Sequence, residues 1–344
     1  MRHLATLALA LALPLPAMAQ EAPEAAPSPG EIVAGAPADQ WIAIPTEDLL
    51  VMTLSPDRDG TPRQAIIQLM PPPFSQGWVG NIRKLGAAHW WDGLAIVRVQ
   101  DNYVVQWGDP DGEDAAKAKP LPKNLVTMSE GDYVLPWRSE GGEAVVTASG
   151  QYQAKKRAVE NARQRSAAGP NVMVIPDGPP RDSYAMIASF YRGWPIAAGG
   201  VGSGSVWPVH CYGMVGVGRN DSPDTGTGAE LYTVIGHAPR HLDRNIALVG
   251  RVVEGMENLS SLPRGTGPLG FYETAEERVP IVSIRLASEL PEAERPHLEY
   301  LSTESDSFAH YADARANRRD PFFIVPAGGA DICNIPVPVR RAAQ

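Results

Sequence analysis

The sequence predicts a mainly β protein carrying a large insertion and a C-terminal extension. Three observations lead there. Short apolar runs, alternating or continuous, recur in pairs across turn-forming residues, as half-buried and buried strands do. The 344 residues include 33 glycines and 33 prolines, Pro at roughly twice its usual share, which leaves little room for long helices. Hydrophobic residues at 44% and charged residues at 20% fit a packed globular chain and exclude wholesale disorder.

The first segment sets an expectation about compartment. Residues 1–19 combine a basic start at Arg2, an apolar run from Leu4 to Leu15 and the small-residue pattern Ala17-Met18-Ala19. This pattern predicts a secretory signal cut after Ala19, and a periplasmic or secreted protein. The run is shorter than the ~20 residues of a permanent span, and no stable membrane span is expected elsewhere. Residues 20–40, rich in Ala, Pro and Glu, read as a flexible leader.

The folded part is expected over 41–287. Leu49–Leu54 and Ala65–Leu69 flank the Asp59-Gly60 turn and read as a β-hairpin. Three prolines at 71–73 end it, and a helix is expected from about Gly77 to Ala88, with Val79, Ile82 and Leu85 on one face. Leu94–Val99 and Tyr103–Trp107 are paired strands across Asp101-Asn102. Residues 113–210 differ in texture and read as an insertion, with a polar, solvated helix at 154–165 and a featureless stretch at 199–205. Strands return at 212–217, 230–235, 246–253 and 279–286. Residues 288–344 look appended, with a helix at 304–318 opened by a Thr303-x-x-Asp306 capping pattern.

Charge and motif searches exclude several functions. A formal net charge of -9 argues against nucleic acid as a partner, because phosphate binding needs concentrated positive charge. No Gly-x-Ser-x-Gly elbow occurs, and Pro239 between His237 and His241 forbids the helix that would align two imidazoles on a metal. The acidic run Asp109–Asp114 lacks the glycine and terminal glutamate placement of a calcium loop. No metal site is expected. Two cysteines, Cys211 and Cys333, are an even and minimal number for an exported chain and are expected to pair, fastening the C-terminal extension.

The segment from Ala95 to Asp109 is the most informative. It sets a lone Arg98 among apolar strand residues, with Gln106 across a tight turn. Arg98, Tyr103, Gln106, Gly108 and Asp109 resemble, in order and spacing, the cyclophilin signature Phe-His-Arg-Val-x-x-x-Phe-x-x-Gln-Gly-Gly-Asp. Trp91-Asp92-Gly93-Leu94, Ala229–Tyr232 and His241-Leu242-Asp243 resemble further motifs of that family, and Val249–Met256 is similar to its Phe-Gly-x-Val-x-x-Gly-Met. The resemblance covers about residues 48–112 and 211–287.

That resemblance implies a closed eight-stranded antiparallel barrel with capping helices, and peptidyl-prolyl cis/trans isomerisation with no cofactor. Arg98 is the implied transition-state donor and Gln106 its orienting partner. Proline-containing polypeptides of the envelope or secreted fraction would be the clients, in the service of protein folding. The implied substrate-binding positions are Tyr103, Val104, Arg219, Glu230, Tyr232, His241, Leu242 and Ile246. Several depart from the family's residues: Glu230 stands for a glutamine, His241 for a tryptophan, Ile246 for a histidine and Arg219 for an asparagine. A non-catalytic module of the same fold, holding or scaffolding proline-containing segments, is the other reading these departures allow.

Overall fold

Chain order begins with a helix, α1 (Pro29–Ala34), and a short strand, β1 (Trp41–Ala43), in a computed structural model that describes residues 26–168, 182–199 and 204–342. The predicted signal segment lies outside the described residues. The expected hairpin follows as β2 (Leu49–Leu54) and β3 (Arg63–Leu69), its turn shaped by the Asp57 carboxylate, which accepts from the amides of Asp59 and Thr61. Helix α2 (Gln76–Ala87) and strands β4 (Ala95–Val99) and β5 (Val104–Gly108) fall where the periodicity puts them.

The segment expected to be an insertion, residues 113–210, contributes β6 (Leu135–Pro136), α3 (Glu140–Ala168), β7 (Ile187–Tyr191), β8 (Trp194–Gly199) and β9 (Ser205–Pro208). Then come β10 (Met214–Val217), β11 (Leu231–Val234), β12 (Leu248–Glu254), the one-turn helix α4 (Glu257–Ser260) and β13 (Val279–Leu286). The chain ends with β14 (Leu298–Leu301), α5 (Asp306–Ala316) and β15 (Val339–Arg341).

Eight strands close into one antiparallel barrel in the order β10-β11-β5-β4-β13-β2-β3-β12, with β12 pairing back onto β10. Leu50, Met52, Ile67, Ile96, Val105 and Trp107 fill its core, and α2 closes one end, Gly86 lying against Leu50 and Leu286. Strand β2 reads as a continuous apolar run because both of its faces are covered. Leu50, Met52 and Leu54 face the core, while Leu49 and Val51 pack outside against Ala287, Leu298 and Tyr300.

That outer cover corrects two expectations. The leader is helical in its described second half: Ser28 and Glu31 form a reciprocal capping box, and Ile32 and Val33 pack on the core. Strand β1 pairs with β14, which pairs with β15, so the N-terminal segment and the C-terminal extension build one sheet together. The Arg340 guanidinium lies 3.8 Å from the Trp41 ring centre and its Nε donates to Glu299 at 2.6 Å.

The insertion forms a second, four-stranded sheet in the order β6-β9-β8-β7. The stretch read as featureless is flanked by two of its strands, β8 and β9, while residues 200–203 lie outside the described residues. The polar helix is longer than predicted and is not simply solvated. Val145 and Tyr152, upstream of the predicted start, are its buried anchors, and Tyr152 packs with Phe190 and with Phe308 of α5. Its basic residues also pair, Arg163 with the buried Asp313 at 3.0 Å and Lys155 with Asp306 at 2.8 Å. Ser305, not Thr303, caps α5; the Thr303 hydroxyl instead accepts from the Gly193 amide. Buried Arg251 of β12 donates to the Gln68 side chain and to the Gly193 carbonyl and stacks on Trp194, pinning the insertion to the barrel.

Cys211 and Cys333 are bonded, with Cα atoms 5.1 Å apart and a sequence separation of 122. The bridge ties the entry of β10 to the C-terminal extension. Replacing both cysteines by alanine is expected to lower unfolding stability by roughly 3 to 5 kcal/mol, since the closed loop is long. Denaturant unfolding under oxidising conditions measures this; an unchanged midpoint would show that the other contacts of the extension suffice.

Candidate active site

Pairing register lines up four positions on one face. Arg98 in β4 lies opposite Gln106 in β5, Gln106 opposite Tyr232 in β11, and Tyr232 opposite Gly216 in β10. Opposed residues point to the same side of a sheet. Val105 and Trp107 go into the barrel, so this side is its outer surface. A register shift between Ile96 and Arg98 bends β4 here, and Val97 and Arg98 both border the same cavity.

That cavity is about 600 Å³. Its apolar part is a cluster outside the core, formed by Val104, Tyr232 and Val234 with Tyr103, Leu242 and Ile246 packed against them. The Tyr232 ring lies across Gly216: a Cβ at that position would stand 2.3 Å from the Tyr232 hydroxyl. Glycine is required there by close approach. Loops supply the rest of the lining, among them Asp109, Glu113 and Lys119, then Asp224 and Glu230, then Phe271, Tyr272 and Arg278.

The Arg98 guanidinium is held from three sides. Its Nε donates to the Leu269 backbone carbonyl at 2.8 Å, Nη1 to the side-chain Oε1 of Gln106 at 3.3 Å and Nη2 to the side-chain Oε1 of Gln100. It also lies 5.1 Å from the Phe271 ring centre and 5.6 Å from that of Tyr103. Each terminal nitrogen keeps a second N–H for a ligand in the cavity. Half burial lowers the Arg98 pKa, with Tyr103 opposing, but an arginine starts so high that the group stays cationic.

A second string leads from Arg98 to an acid. The Gln106 amide nitrogen donates to the Glu230 carboxylate at 2.9 Å while its carbonyl accepts from Arg98. Glu230 lies over Gly108, where a Cβ would come 2.7 Å from its Cγ. Burial raises the Glu230 pKa; the hydrogen bond from Gln106 opposes this, and the negative charges of Glu113, Asp109 and Asp224 reinforce it.

Of the sequence-predicted positions, Arg98, Gln106, Tyr103, Val104, Arg219, Glu230, Tyr232, Leu242 and Ile246 all border the cavity. His241 does not; exposed, it stacks on Tyr103 with ring centres 6.4 Å apart. Arg219 directs Nε and Nη2 to the Asn245 carbonyl and Nη1 to that of Asn220, bracing two loops at the rim. Gln100, Phe271 and the Leu269 carbonyl were not foreseen. Gln100 was within reach, two residues from Arg98 and so on its face. Phe271 comes from a turn far along the chain, which no local pattern announces.

The acidic run at 109–114 is a turn: the Asp109 carboxylate accepts from the amides of Asp111 and Lys119. Among the described residues no group of three or more His, Cys, Asp or Glu is arranged to hold a metal, and no helix is long and apolar enough to cross a membrane.

The family profile described as cyclophilin type peptidyl-prolyl cis-trans isomerase/CLD matches residues 77–286. Among solved structures, cyclophilin AquaCyp293 from Hirschia baltica is similar in fold, with TM-score 0.58 and 20% identity over 88% of this chain and 95% of that one. A cyclophilin type peptidyl-prolyl cis-trans isomerase from Cryptosporidium parvum matches at TM-score 0.34 and 11% identity, covering 69% of this chain and 97% of that one. No curated protein matches the chain.

The raised pKa of Glu230 has a definite sign in stability. A carboxyl whose folded pKa is raised adds stability below its unfolded pKa, and this is lost as pH rises through the folded value. Glu230→Gln is therefore expected to melt higher than wild type at pH 7, with the gap closing as pH falls to about 4, where glutamate protonates. Thermal denaturation at both pH values tests this; a wild type more stable than the variant at pH 7 contradicts it.

Proposed function

Because the chain belongs to the cyclophilin-type peptidyl-prolyl cis-trans isomerase family, we propose that it isomerises X-Pro bonds of exported polypeptides, with Arg98 stabilising the twisted amide. The observation that supports this reading is the anchored Arg98 guanidinium in the same cavity as an apolar cluster of Val104, Tyr232, Leu242 and Ile246.

The physical problem is a rotation barrier of about 18 to 20 kcal/mol, set by amide conjugation. No covalent bond has to form or break. As the C–N bond turns out of plane, the prolyl nitrogen regains a lone pair and becomes a hydrogen-bond acceptor, which it is not in the planar ground state. A donor aimed there stabilises the transition state and not the substrate, the condition for raising turnover. Arg98 suits this role because three fixed acceptors orient it, so little reorganisation accompanies the reaction. Val104, Leu242, Ile246 and the ring of Tyr232 would take the pyrrolidine ring and exclude water from it.

Export is the second part of the proposal. It rests on the signal-like pattern of residues 1–19 and agrees with a paired Cys211–Cys333, since disulfides persist in oxidising compartments. The clients would be unfolded or loop segments of envelope and secreted proteins.

The test is an isomerisation assay on an Ala-Pro peptide with the mature protein and Arg98→Ala. The variant is expected to lose about 100-fold or more in kcat/KM, the usual cost of removing a donor used in the transition state. Circular dichroism should be unchanged. Equal rates for the two proteins would remove Arg98 from the mechanism; no rate from wild type, with peptide still bound, would make the protein a binding module.

A further inference from the structure

A buried polar chain runs behind the cup. The Tyr232 hydroxyl lies 2.9 Å from Nε2 of His210, and Nδ1 of His210 lies 2.9 Å from Oδ1 of Asp243. The same carboxylate oxygen accepts from the His210 backbone amide at 3.0 Å, and Oδ2 accepts from Nε of Arg240 at 2.7 Å. Arg240 in turn donates to Asp182 at 3.0 Å. His210, Asp243 and Arg240 are 1%, 4% and 3% exposed, so water does not complete this network from outside.

Chemistry orders the chain in one direction. Asp243 holds its charge: burial alone would raise its pKa, but the hydrogen bonds from His210 and Arg240 outweigh that and lower it. An ionised carboxylate only accepts, so Nδ1 of His210 carries a proton and donates it. With the second proton absent, Nε2 is an acceptor, and the Tyr232 O–H is then the group that donates across the 2.9 Å contact. The hydroxyl is directed away from the cavity, and the ring presents only its carbon surface there.

We propose that His210 is a positioning residue of the proline cup, keeping the Tyr232 hydroxyl out of the cavity so that a tyrosine serves as an apolar floor. This deepens the prolyl-peptide reading and rests on it. Without His210 the hydroxyl is a buried orphan whose nearest source of partners is the cavity itself. The ring would turn outward and occupy the space of the substrate proline. The effect belongs to substrate affinity, since Arg98 and its anchors are untouched.

The experiment compares wild type, His210→Ala and the double variant His210→Ala/Tyr232→Phe. Ala-Pro peptide affinity is read by NMR titration, kcat and KM from the isomerisation assay, and Tm by melting. His210→Ala is expected to weaken peptide binding and raise KM about tenfold, the size of one orphaned buried hydrogen bond, with kcat nearly unchanged. Adding Tyr232→Phe removes the hydroxyl and should restore affinity, while Tm stays low because Asp243 still lacks the imidazole donor and keeps only the residue-210 amide and Arg240. Wild-type affinity in His210→Ala, or a double variant no tighter than the single, overturns the proposal and leaves His210 a purely structural residue. Imidazole nitrogen shifts in the wild-type protein give an arm independent of any variant's folding: a neutral ring protonated on Nδ1 alone is expected, and a proton on Nε2, in the neutral ring or the imidazolium, refutes it. A wild type that neither binds nor isomerises the peptide instead sinks the prolyl-peptide reading and this proposal with it.

Discussion

The pairing register of β4, β5, β11 and β10 decides which side chains meet outside the barrel. A slip of one residue in β5 would send Gln106 inward and bring Val105 and Trp107 out. Interior packing forbids that slip, because Trp107 and Val105 are fully buried in a closed barrel that has no edge to shift along. Geometry at Arg98 is therefore set by residues that never touch a substrate. Gly216 belongs to the same constraint: it is the one position on the line without a side chain, and the Tyr232 ring takes that space.

A second layer is built by the parts of the chain that lie outside the barrel. The extension and the N-terminal segment cover the outer face of β2, and residues 113–210 supply both part of the cavity lining, at Glu113, Lys119 and Leu121, and the His210 that backs Tyr232. These pieces meet where the disulfide joins Cys211, the neighbour of His210, to Cys333. Asp331, whose carboxylate accepts from the Cys333 amide, also approaches Arg240 at 3.8 Å. Insertion and extension thus converge on the rear of the cup, and the barrel alone would lack its polar backing.

Legibility in the sequence follows the range of the signal. The barrel strands were readable because burial imposes period two or continuous apolar runs locally, and Arg98 and Gln106 because a tight turn makes them neighbours. Strands β7, β8 and β9 were missed: Trp194-Pro195-Ile196 and the glycines near residue 200 break any simple pattern, and their burial comes from packing on α3 and the barrel. Helix α3 starts earlier than its pattern predicts, since Val145 and Tyr152 carry its contact while the segment after Ala154 is polar and pairs by charge. Phe271 and His210 reach the site over long sequence separations, and only the closed fold brings them there.

Glu230 also makes sense as part of the site's order. A carboxylate has acceptors only, so Gln106 must turn its NH2 toward Glu230 and its carbonyl toward Arg98. With glutamine at 230, either end of the Gln106 amide would find a partner across the strand pair, and one of the two orientations would present an NH2 to the guanidinium. The acid removes that ambiguity. Its cost is a buried charge, made costlier by the nearby Glu113, Asp109 and Asp224, and the raised pKa records both. Arg98, cationic and one residue further along the string, is the group whose orientation that charge secures, so the string trades local stability for a donor fixed in place.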